Sequence, residues 1–284
     1  MTTHGAARDT SRGAPGRPAE LPDQPGAVPL LERREQIASL LEVVPRVSVA
    51  ELAEQFGVTD VSIRRDLTVL EEAGFLRRVH GGAVAATREH GRNAYALRAR
   101  ESREEKKRIG AAAAALVGAG DVVVFDSGST VAQVAAHISR PLRRSNALTV
   151  VTNSLPVLDE VGRWESPHLV CLGGLYLPDH QALVGPQTVA DMSGLSADIV
   201  FLGCDGLTVE TGLTTPHVLV AEIGAVIARR GRRVVVTADS SKVGRHGFTP
   251  IVPLTEIHVL VTDRGADPVQ VERVRELGVE VILA

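Results

Sequence analysis

One face of the segment from Thr59 to Leu70 carries the groups that proteins use to read DNA bases. With 100° between successive residues of a helix, its outer side and flanks hold arginine, hydroxyl and methyl groups: Val61, Ser62, Arg64, Arg65 and Thr68. Its inner side is apolar: Ile63, Leu67 and Leu70. Arginine can donate two hydrogen bonds to guanine, a threonine methyl can touch the thymine methyl, and serine can bond a base edge or a phosphate. The segment is therefore predicted to enter a major groove.

A first short helix is predicted over 48–56, just before this segment. Gly57 can adopt a positive φ in the tight turn that follows, and Thr59 can cap the second helix through its hydroxyl. The pair predicts a helix-turn-helix, and we count Ser48 and Thr59 among its DNA contacts.

A strand, a turn at Gly81 and Gly82, and a second strand are predicted after the recognition helix, which Gly74 would end as a C-cap. This is the wing of a winged helix. We expect three of its side chains to reach phosphate or the minor groove: Arg77, Arg78 and His80.

Charge limits how this domain can bind DNA. Residues 29–86 hold seven arginines against nine acids, and the whole chain has a net charge of −3. Non-specific attraction to phosphate is therefore disfavoured, whereas a sequence-reading module with arginines on one side is compatible with this composition. A solvated helix face is the alternative interpretation of Arg64 and Arg65.

From about residue 104, near-continuous Val, Ile and Leu strands alternate with helices, which predicts an α/β domain with a mostly parallel sheet. Ligands bind such sheets beyond the carboxyl ends of the strands. Five predicted strands end in loops rich in small polar residues, and these loops supply the expected effector site: Asp126, Ser127, Gly128, Ser129, Thr130, Thr152, Asn153, Gly173, Gly174, Asp205, Thr214 and Lys242.

The loop at 126–130 opens a helix, so its backbone N–H groups and hydroxyls can hold a phosphate. Lys242 can supply a counter-charge, and Asp126, Asn153 and Asp205 can accept bonds from sugar hydroxyls. A plain strand–helix turn and a surface lysine remain the alternatives. The chain has neither a Walker loop nor a G-x-G-x-x-G fingerprint, and no cofactor or metal site is predicted.

The expected organisation is a disordered tail at 1–28, a winged helix-turn-helix at 29–86, a polar linker at 87–102 that includes a helical piece, and the α/β domain at 103–284. No run of residues is apolar and long enough for a membrane span or a signal peptide. Two cysteines are too few for a disulfide framework. We expect a cytoplasmic protein.

Motifs in both halves resemble the DeoR family of bacterial regulators, in order along the chain: Val58-Thr59, Ser62–Leu67, Arg78–Ala83, Asp126–Thr130, Val151–Ser154, Leu172–Gly174, Gly212–Thr215 and Asp239–Lys242. Only residues 1–28 lie outside the resemblance. It implies a Rossmann-like sensor domain with a fold like ribose-5-phosphate isomerase, and a phosphorylated sugar as effector. In one departure, Gly224 stands where the family usually has a lysine.

Three functions compete. The first is a transcriptional regulator, most often a repressor, which binds double-stranded DNA as a homodimer or higher assembly and responds to a phosphorylated sugar. The second is a sugar-phosphate isomerase that carries a winged helix; its base would be one of four acids: Asp126, Asp205, Glu222 or Asp239. The third is a protein-interaction module. The direction of the effector's influence on DNA binding stays open.

Overall fold

The computed structural model describes residues 30–44, 46–72, 76–85, 88–144 and 147–284. The tail predicted at 1–28 and the C-cap predicted at Gly74 lie outside them. The described N-terminal residues form three helices and three strands: α1 (Leu30–Val43), β1 (Arg46–Ser48), α2 (Val49–Phe56), α3 (Asp60–Glu72), β2 (Leu76–Val79) and β3 (Gly82–Ala85). The strands form an antiparallel sheet in the order β1-β3-β2. The predicted winged helix-turn-helix is confirmed.

Local chemistry sets the boundaries of its helices. The Ser48 hydroxyl accepts a bond from the Glu51 amide at 3.2 Å while the Glu51 carboxylate accepts one from the Ser48 amide at 3.0 Å, which is a capping box. Gly57 ends α2 with φ of 63°. The Thr59 hydroxyl accepts from the Ser62 amide at 3.3 Å, as its predicted capping role requires. The sequence did not predict β1, because three residues carry too little pattern.

The inner face of α3 packs as its periodicity predicts. Ile63, Leu67 and Leu70 are fully buried, and they join a cluster that includes Leu52 and Phe56 of α2. The wing turns at His80 and Gly81, and Gly81 has φ of 78°. Because its inner face packs in this core, the opposite face of α3 is exposed to solvent.

The second part begins with a helix in the predicted linker. Its helices are α4 (Arg88–Arg100), α5 (Arg103–Ala114), α6 (Ser129–His137), α7 (Arg140–Arg144), α8 (Leu155–Val161), α9 (Pro186–Ser193), α10 (Val218–Arg230) and α11 (Pro268–Glu276), with 3-10 turns at Ser240–Lys242 and Leu254–Glu256. Its strands are β4 (Val122–Phe125), β5 (Thr149–Thr152), β6 (His168–Cys171), β7 (Leu175–Leu177), β8 (Ala182–Val184), β9 (Ala197–Leu202), β10 (Gly206–Thr208), β11 (Gly212–Thr215), β12 (Gly231–Thr237), β13 (Thr249–Pro250), β14 (Val259–Thr262) and β15 (Glu280–Leu283).

Seven of these strands form a parallel sheet in the order β15-β14-β12-β9-β4-β5-β6, with a hydrophobic core on each face. All seven were predicted, to within two residues at each end. The short elements β7, β8, β10, β11, β13 and α7 were not, because tertiary contacts rather than periodicity hold them. No helix among the described residues is both long and apolar enough to cross a bilayer.

The strand order reverses between β4 and β9. The chain adds β5 and β6 on one side of β4, and then returns to place β9 on the other side. Phe125 and Phe201, the last aromatic residues of these two strands, stack at 5.3 Å. This is the Rossmann-like reversal that opens a crevice beyond the carboxyl ends of the central strands.

Candidate nucleic-acid interface and effector cavity

Several residues predicted to contact DNA lie on the solvent side of α3 and the wing. Val61 is 70% exposed, and Arg64 and Arg65 are exposed beside it. On the wing, Arg77 and His80 are exposed as well. These five side chains stand on α3 or on the adjoining wing, and all of them are open to solvent.

Other predicted contacts also bond within the protein. The Arg78 guanidinium donates to the Thr68 hydroxyl at 2.8 Å, and that hydroxyl donates to the Arg64 carbonyl at 2.9 Å. The Arg78 amide donates to the Glu71 carboxylate at 2.7 Å. Thr68 and Arg78 therefore fix the wing against the recognition helix.

The hydroxyl groups of Ser48 and Thr59 cap the N-termini of α2 and α3. The Ser48 hydroxyl, besides capping α2, donates to the Glu51 carboxylate at 2.7 Å. The Thr59 and Ser62 hydroxyls lie 3.2 Å apart at the start of α3. DNA contact by these residues stays a prediction.

A cavity lies at the strand reversal, beyond the ends of β4 and β9. It is lined by Arg98, Lys106, Asp126, Ser127, Gly128, Ser129, Thr130, His180, Gly203, Cys204, Asp205, Thr215, Val220, Thr237, Asp239, Lys242 and Ile251. Seven of the twelve predicted effector residues line it: Asp126, Ser127, Gly128, Ser129, Thr130, Asp205 and Lys242.

The loop after β4 turns its backbone toward this cavity at the start of α6. Gly128 precedes that helix with φ of 139°, a conformation that a side chain rarely permits, and its Cα approaches Gly203 after β9. Ser129 and Thr130 form the first turn, where N–H groups have no partner within the helix. Such a helix start, bordered by hydroxyls, favours an anion.

Three cations line the cavity, and two of them are engaged. The Lys106 ammonium lies 3.7 Å from Asp239 and donates to the main-chain carbonyls of Glu101, at 2.8 Å, and Arg98. Burial lowers the pKa of Lys106. The Arg98 guanidinium donates to the Asp179 carbonyl. Lys242, by contrast, makes no side-chain hydrogen bond within the described part of the chain, so its charge is available.

Three carboxyl groups line the cavity in different environments. Asp205 accepts a bond from the Thr215 hydroxyl at 2.9 Å, and Asp239 accepts one from the Ser241 amide at 3.2 Å. Asp126 is only 2% exposed, and its Oδ1 has no hydrogen-bond partner among the described residues. Burial raises the pKa of Asp126 to about 7.

The remaining five predicted effector residues are not part of the cavity lining. The Thr152 hydroxyl donates to the Phe125 carbonyl at 2.7 Å, and the Asn153 amide donates to the Leu183 carbonyl at 3.1 Å. Both residues are fully buried and brace neighbouring strands.

Gly173 and Gly174 connect β6 to β7. The Thr188 hydroxyl donates to the Gly173 carbonyl at 2.6 Å, and a Cβ on Gly174 would lie 2.1 Å from the same hydroxyl. Thr214 bonds the Gly206 carbonyl and the Gly247 amide. Its neighbour Thr215 lines the cavity, because adjacent side chains of a strand point in opposite directions.

Sequence reasoning had not placed Arg98, Lys106 and His180 at the site. Arg98 comes from the predicted linker, Lys106 from α5, and His180 from the connection between β7 and β8. Burial lowers the pKa of His180 to about 4, so its ring is neutral near pH 7. The ring packs edge-on against His217 at 5.7 Å. The strand-end rule does not point to Arg98 and Lys106, because neither residue follows a strand of the sheet.

Comparison with known proteins follows the same division of the chain. A family model described as a DeoR-like helix-turn-helix domain matches residues 33–89, and one described as the DeoR C terminal sensor domain matches residues 101–264. Together they bracket the linker helix α4.

Two curated relatives match over most of their length. One is the HTH-type transcriptional regulator GlpR of Haloferax volcanii, with 34% identity over 88% of this chain and 96% of the relative. Another is the HTH-type transcriptional repressor GlcR of Bacillus subtilis, with 30% identity over 89% of this chain and 95% of the relative. A solved ribose 5-phosphate isomerase A from Methanocaldococcus jannaschii aligns with 20% identity over 50% of this chain and 55% of its own, at a TM-score of 0.36.

Proposed function

Because the chain belongs to the DeoR family of transcriptional regulators, we propose that it represses genes of carbohydrate metabolism under the control of a phosphorylated sugar. The family makes it a DNA-binding regulator with a sensor domain, and a regulator rather than an enzyme. The repressor role is supported by the relative named as a repressor, which is 30% identical. As a regulator of bacterial type it would act in the cytoplasm, where the DNA is.

The cavity at the strand reversal carries the effector proposal. It combines the start of α6 and the Lys242 ammonium, which has no side-chain hydrogen bond among the described residues, with Asp205 and Thr215. The first two groups suit a phosphate, and the last two suit hydroxyl groups. The start of α6 and the Lys242 ammonium together form an anion-binding site, the anion seat. Its position next to hydrogen-bonding oxygen atoms matches a small polyol phosphate better than an apolar ligand.

The isomerase alternative is not favoured. Proton transfer at a sugar carbon needs a positioned base. Of the four candidate acids, Asp205 and Asp239 accept hydrogen bonds within the protein, and Glu222 is exposed and outside the cavity lining. Asp126 remains, but the family assignment supports a sensing role for it.

DNA recognition would use the exposed face of α3, with the wing on the backbone. We place Arg65 at a base edge and Arg77 at a phosphate, because Arg65 stands near the middle of the outer face and Arg77 stands on the wing strand.

One winged helix buries little surface, so a dimer on two half-sites is part of the proposal. Sedimentation of the full chain with and without DNA tests it: a monomer under both conditions at micromolar concentration would contradict a symmetric assembly.

Signal transfer is proposed to run through α4. This helix leads directly from the DNA-binding domain, and its last turn places Arg98 in the cavity. If the effector binds one position of α4 more tightly than another, it favours that position. The resulting change in DNA-binding free energy is then limited by the difference between the effector's binding free energies for the two positions.

The test compares operator affinity with and without candidate sugar phosphates. Lys242→Ala removes the available cation, and the pair Ser129→Ala with Thr130→Ala removes the hydroxyls of the anion seat. Both variants should bind operator like the wild type and stop responding to the effector. Lys107→Ala, an exposed lysine paired with Glu104, is the matched control. A full response from Lys242→Ala would show that the effector site has been misplaced.

A further inference from the structure

Asp126 is unusual among the cavity groups because it is buried and one of its two oxygen atoms, Oδ1, lacks a hydrogen-bond partner among the described residues. Its side chain lies at the end of β4, immediately before the anion seat, and its Oδ1 accepts no hydrogen bond from any described residue. Ionising a buried carboxyl group is unfavourable when one of its oxygen atoms has no hydrogen-bond donor, so such a group either gains a partner or becomes neutral.

The helix that packs over Asp126 offers it no cation. A Cβ built on Gly224 of α10 would lie 3.9 Å from Asp126 Oδ2 and 2.9 Å from the Ile251 side chain. Where Gly224 approaches Asp126, α10 therefore presents bare backbone, with the Ile251 side chain beside it. Glu222, on the same helix, is exposed to solvent.

Two cations of the cavity, Lys106 and Arg98, bond groups other than Asp126. Lys106 is held by Asp239 and by two carbonyl oxygens of the linker region, and Arg98 is held by the Asp179 carbonyl. Burial raises the pKa of Asp126, and no charged side chain among the described residues shifts it. Hydrogen bonds from Ser127 and Asn153 lower this pKa, but they offset only part of the rise.

We propose that Asp126 is a specificity residue that binds the effector as a neutral carboxylic acid, donating a hydrogen bond to an anionic oxygen of the ligand. The proposal rests on the proposed function, since it requires an anion in the seat at the start of α6. A proton held between two acidic oxygens lets a carboxyl group and a phosphate lie side by side, whereas two anions there would repel each other. The bare backbone at Gly224 preserves this arrangement by providing no counter-cation.

Binding is then linked to one proton. If Asp126 is ionised before the ligand enters, it takes a proton from solvent as the complex forms, and affinity falls as pH rises through the pKa near 7. The other groups that line the cavity and titrate are Lys106, His180, Cys204, Asp205, Asp239 and Lys242.

Two of these groups can be set aside between pH 6 and 8. Burial lowers the pKa of His180 to about 4, so that it stays neutral, and burial raises the pKa of the Cys204 thiol, so that it stays protonated. Lys106, whose pKa burial also lowers, is retained in an Asp126 variant, so a flat profile in that variant assigns the pH dependence to Asp126.

Sulfate is the probe, because its charge does not change across this range, whereas phosphate itself titrates. Calorimetric titration of the full-length protein should give a sulfate affinity roughly tenfold weaker at pH 8 than at pH 6, with proton uptake seen as a dependence on buffer. Asp126→Asn keeps a neutral donor, so it should bind with the pH 6 affinity at both pH values and take up no proton. Glu222→Gln, the control, should keep the wild-type profile.

An unchanged pH profile in Asp126→Asn would overturn the proposal, as would a flat profile in the wild type. If the wild type bound no sulfate at any pH, the anion seat would be ruled out, and with it the proposed control by a phosphorylated sugar. If Asp126→Asn does not fold, infrared spectroscopy of the wild type decides: sulfate should perturb the carbonyl stretch of a protonated carboxyl. A band from an ionised carboxylate in its place would contradict the proposal.

Discussion

The guanidinium Nε of Arg33 donates a 2.8 Å hydrogen bond to Oδ2 of Asp66, and both side chains are almost fully buried. Arg34 reaches the other oxygen of the same carboxylate at 2.7 Å. One acid therefore ties α1 to the recognition helix α3. Two of the seven arginines that counted toward a DNA-binding charge are thus used inside the domain.

Removing Asp66 should destabilise the DNA-binding domain. Asp66→Ala removes the carboxylate that both guanidinium groups bond, one of which is buried, and we expect a loss of about 3–5 kcal/mol in the domain's free energy of unfolding. Hydrogen exchange, resolved for each domain, measures this free energy, and thermal unfolding gives the matching shift in melting temperature. The exposed pair Arg163 and Asp159 supplies the control, since Asp159→Ala should change little. Equal stability of Asp66→Ala and wild type would contradict the role of the ion pair.

Arg65 and Arg77 should differ in what they contribute to DNA binding. On a duplex selected from a random library, Arg65→Ala should cost about 1–3 kcal/mol and relax the preference at one base pair. Arg77→Ala should weaken selected and random DNA alike and lower the salt slope by about one. Fluorescence anisotropy at several salt concentrations measures both. Indistinguishable behaviour of the two variants would show that Arg65 does not read a base.

Lys106 should couple the cavity to the linker helix. Its ammonium joins Asp239 to carbonyl oxygens at the end of α4, so Lys106→Met should leave operator binding intact and raise the effector concentration for half-maximal response at least tenfold, or about 1.4 kcal/mol of coupling. The adjacent exposed Lys107→Met is the control. A normal response from Lys106→Met would exclude this route.

Stability should depend on pH through Asp126. Its pKa rises from 3.8 to about 7 on folding, so between these values the folded chain holds a proton that the unfolded chain releases. Stability contributed by this group therefore falls as pH rises through that window, and the loss is complete above pH 7. Asp126→Asn should gain stability over wild type between pH 4 and pH 8, by up to about 4 kcal/mol at 1.4 kcal/mol per pKa unit. Thermal melts at both pH values test this; a constant difference would refute it.

Much of the architecture could be predicted because it is encoded locally. The inner face of α3 follows from a period of 3.6 residues, the wing from two runs around paired glycines, and the seven central strands from runs of Val, Ile and Leu. The strand-end rule then located Asp126–Thr130, Asp205 and Lys242, since parallel strands bring their carboxyl ends to one edge. The sequence also determined the family, through motifs spread along both domains.

Only the tertiary structure decided which polar residues share the cavity. Thr215 rather than Thr214 lines it because of the strand's orientation, and Arg98 and Lys106 reach it from outside the sheet. Arg33 turns inward because Asp66, 33 positions away, provides its partner. Periodicity specifies which face of its own element a side chain occupies, but the partner on the other side depends on packing between segments distant in sequence, and that packing left Asp126 buried without a cation.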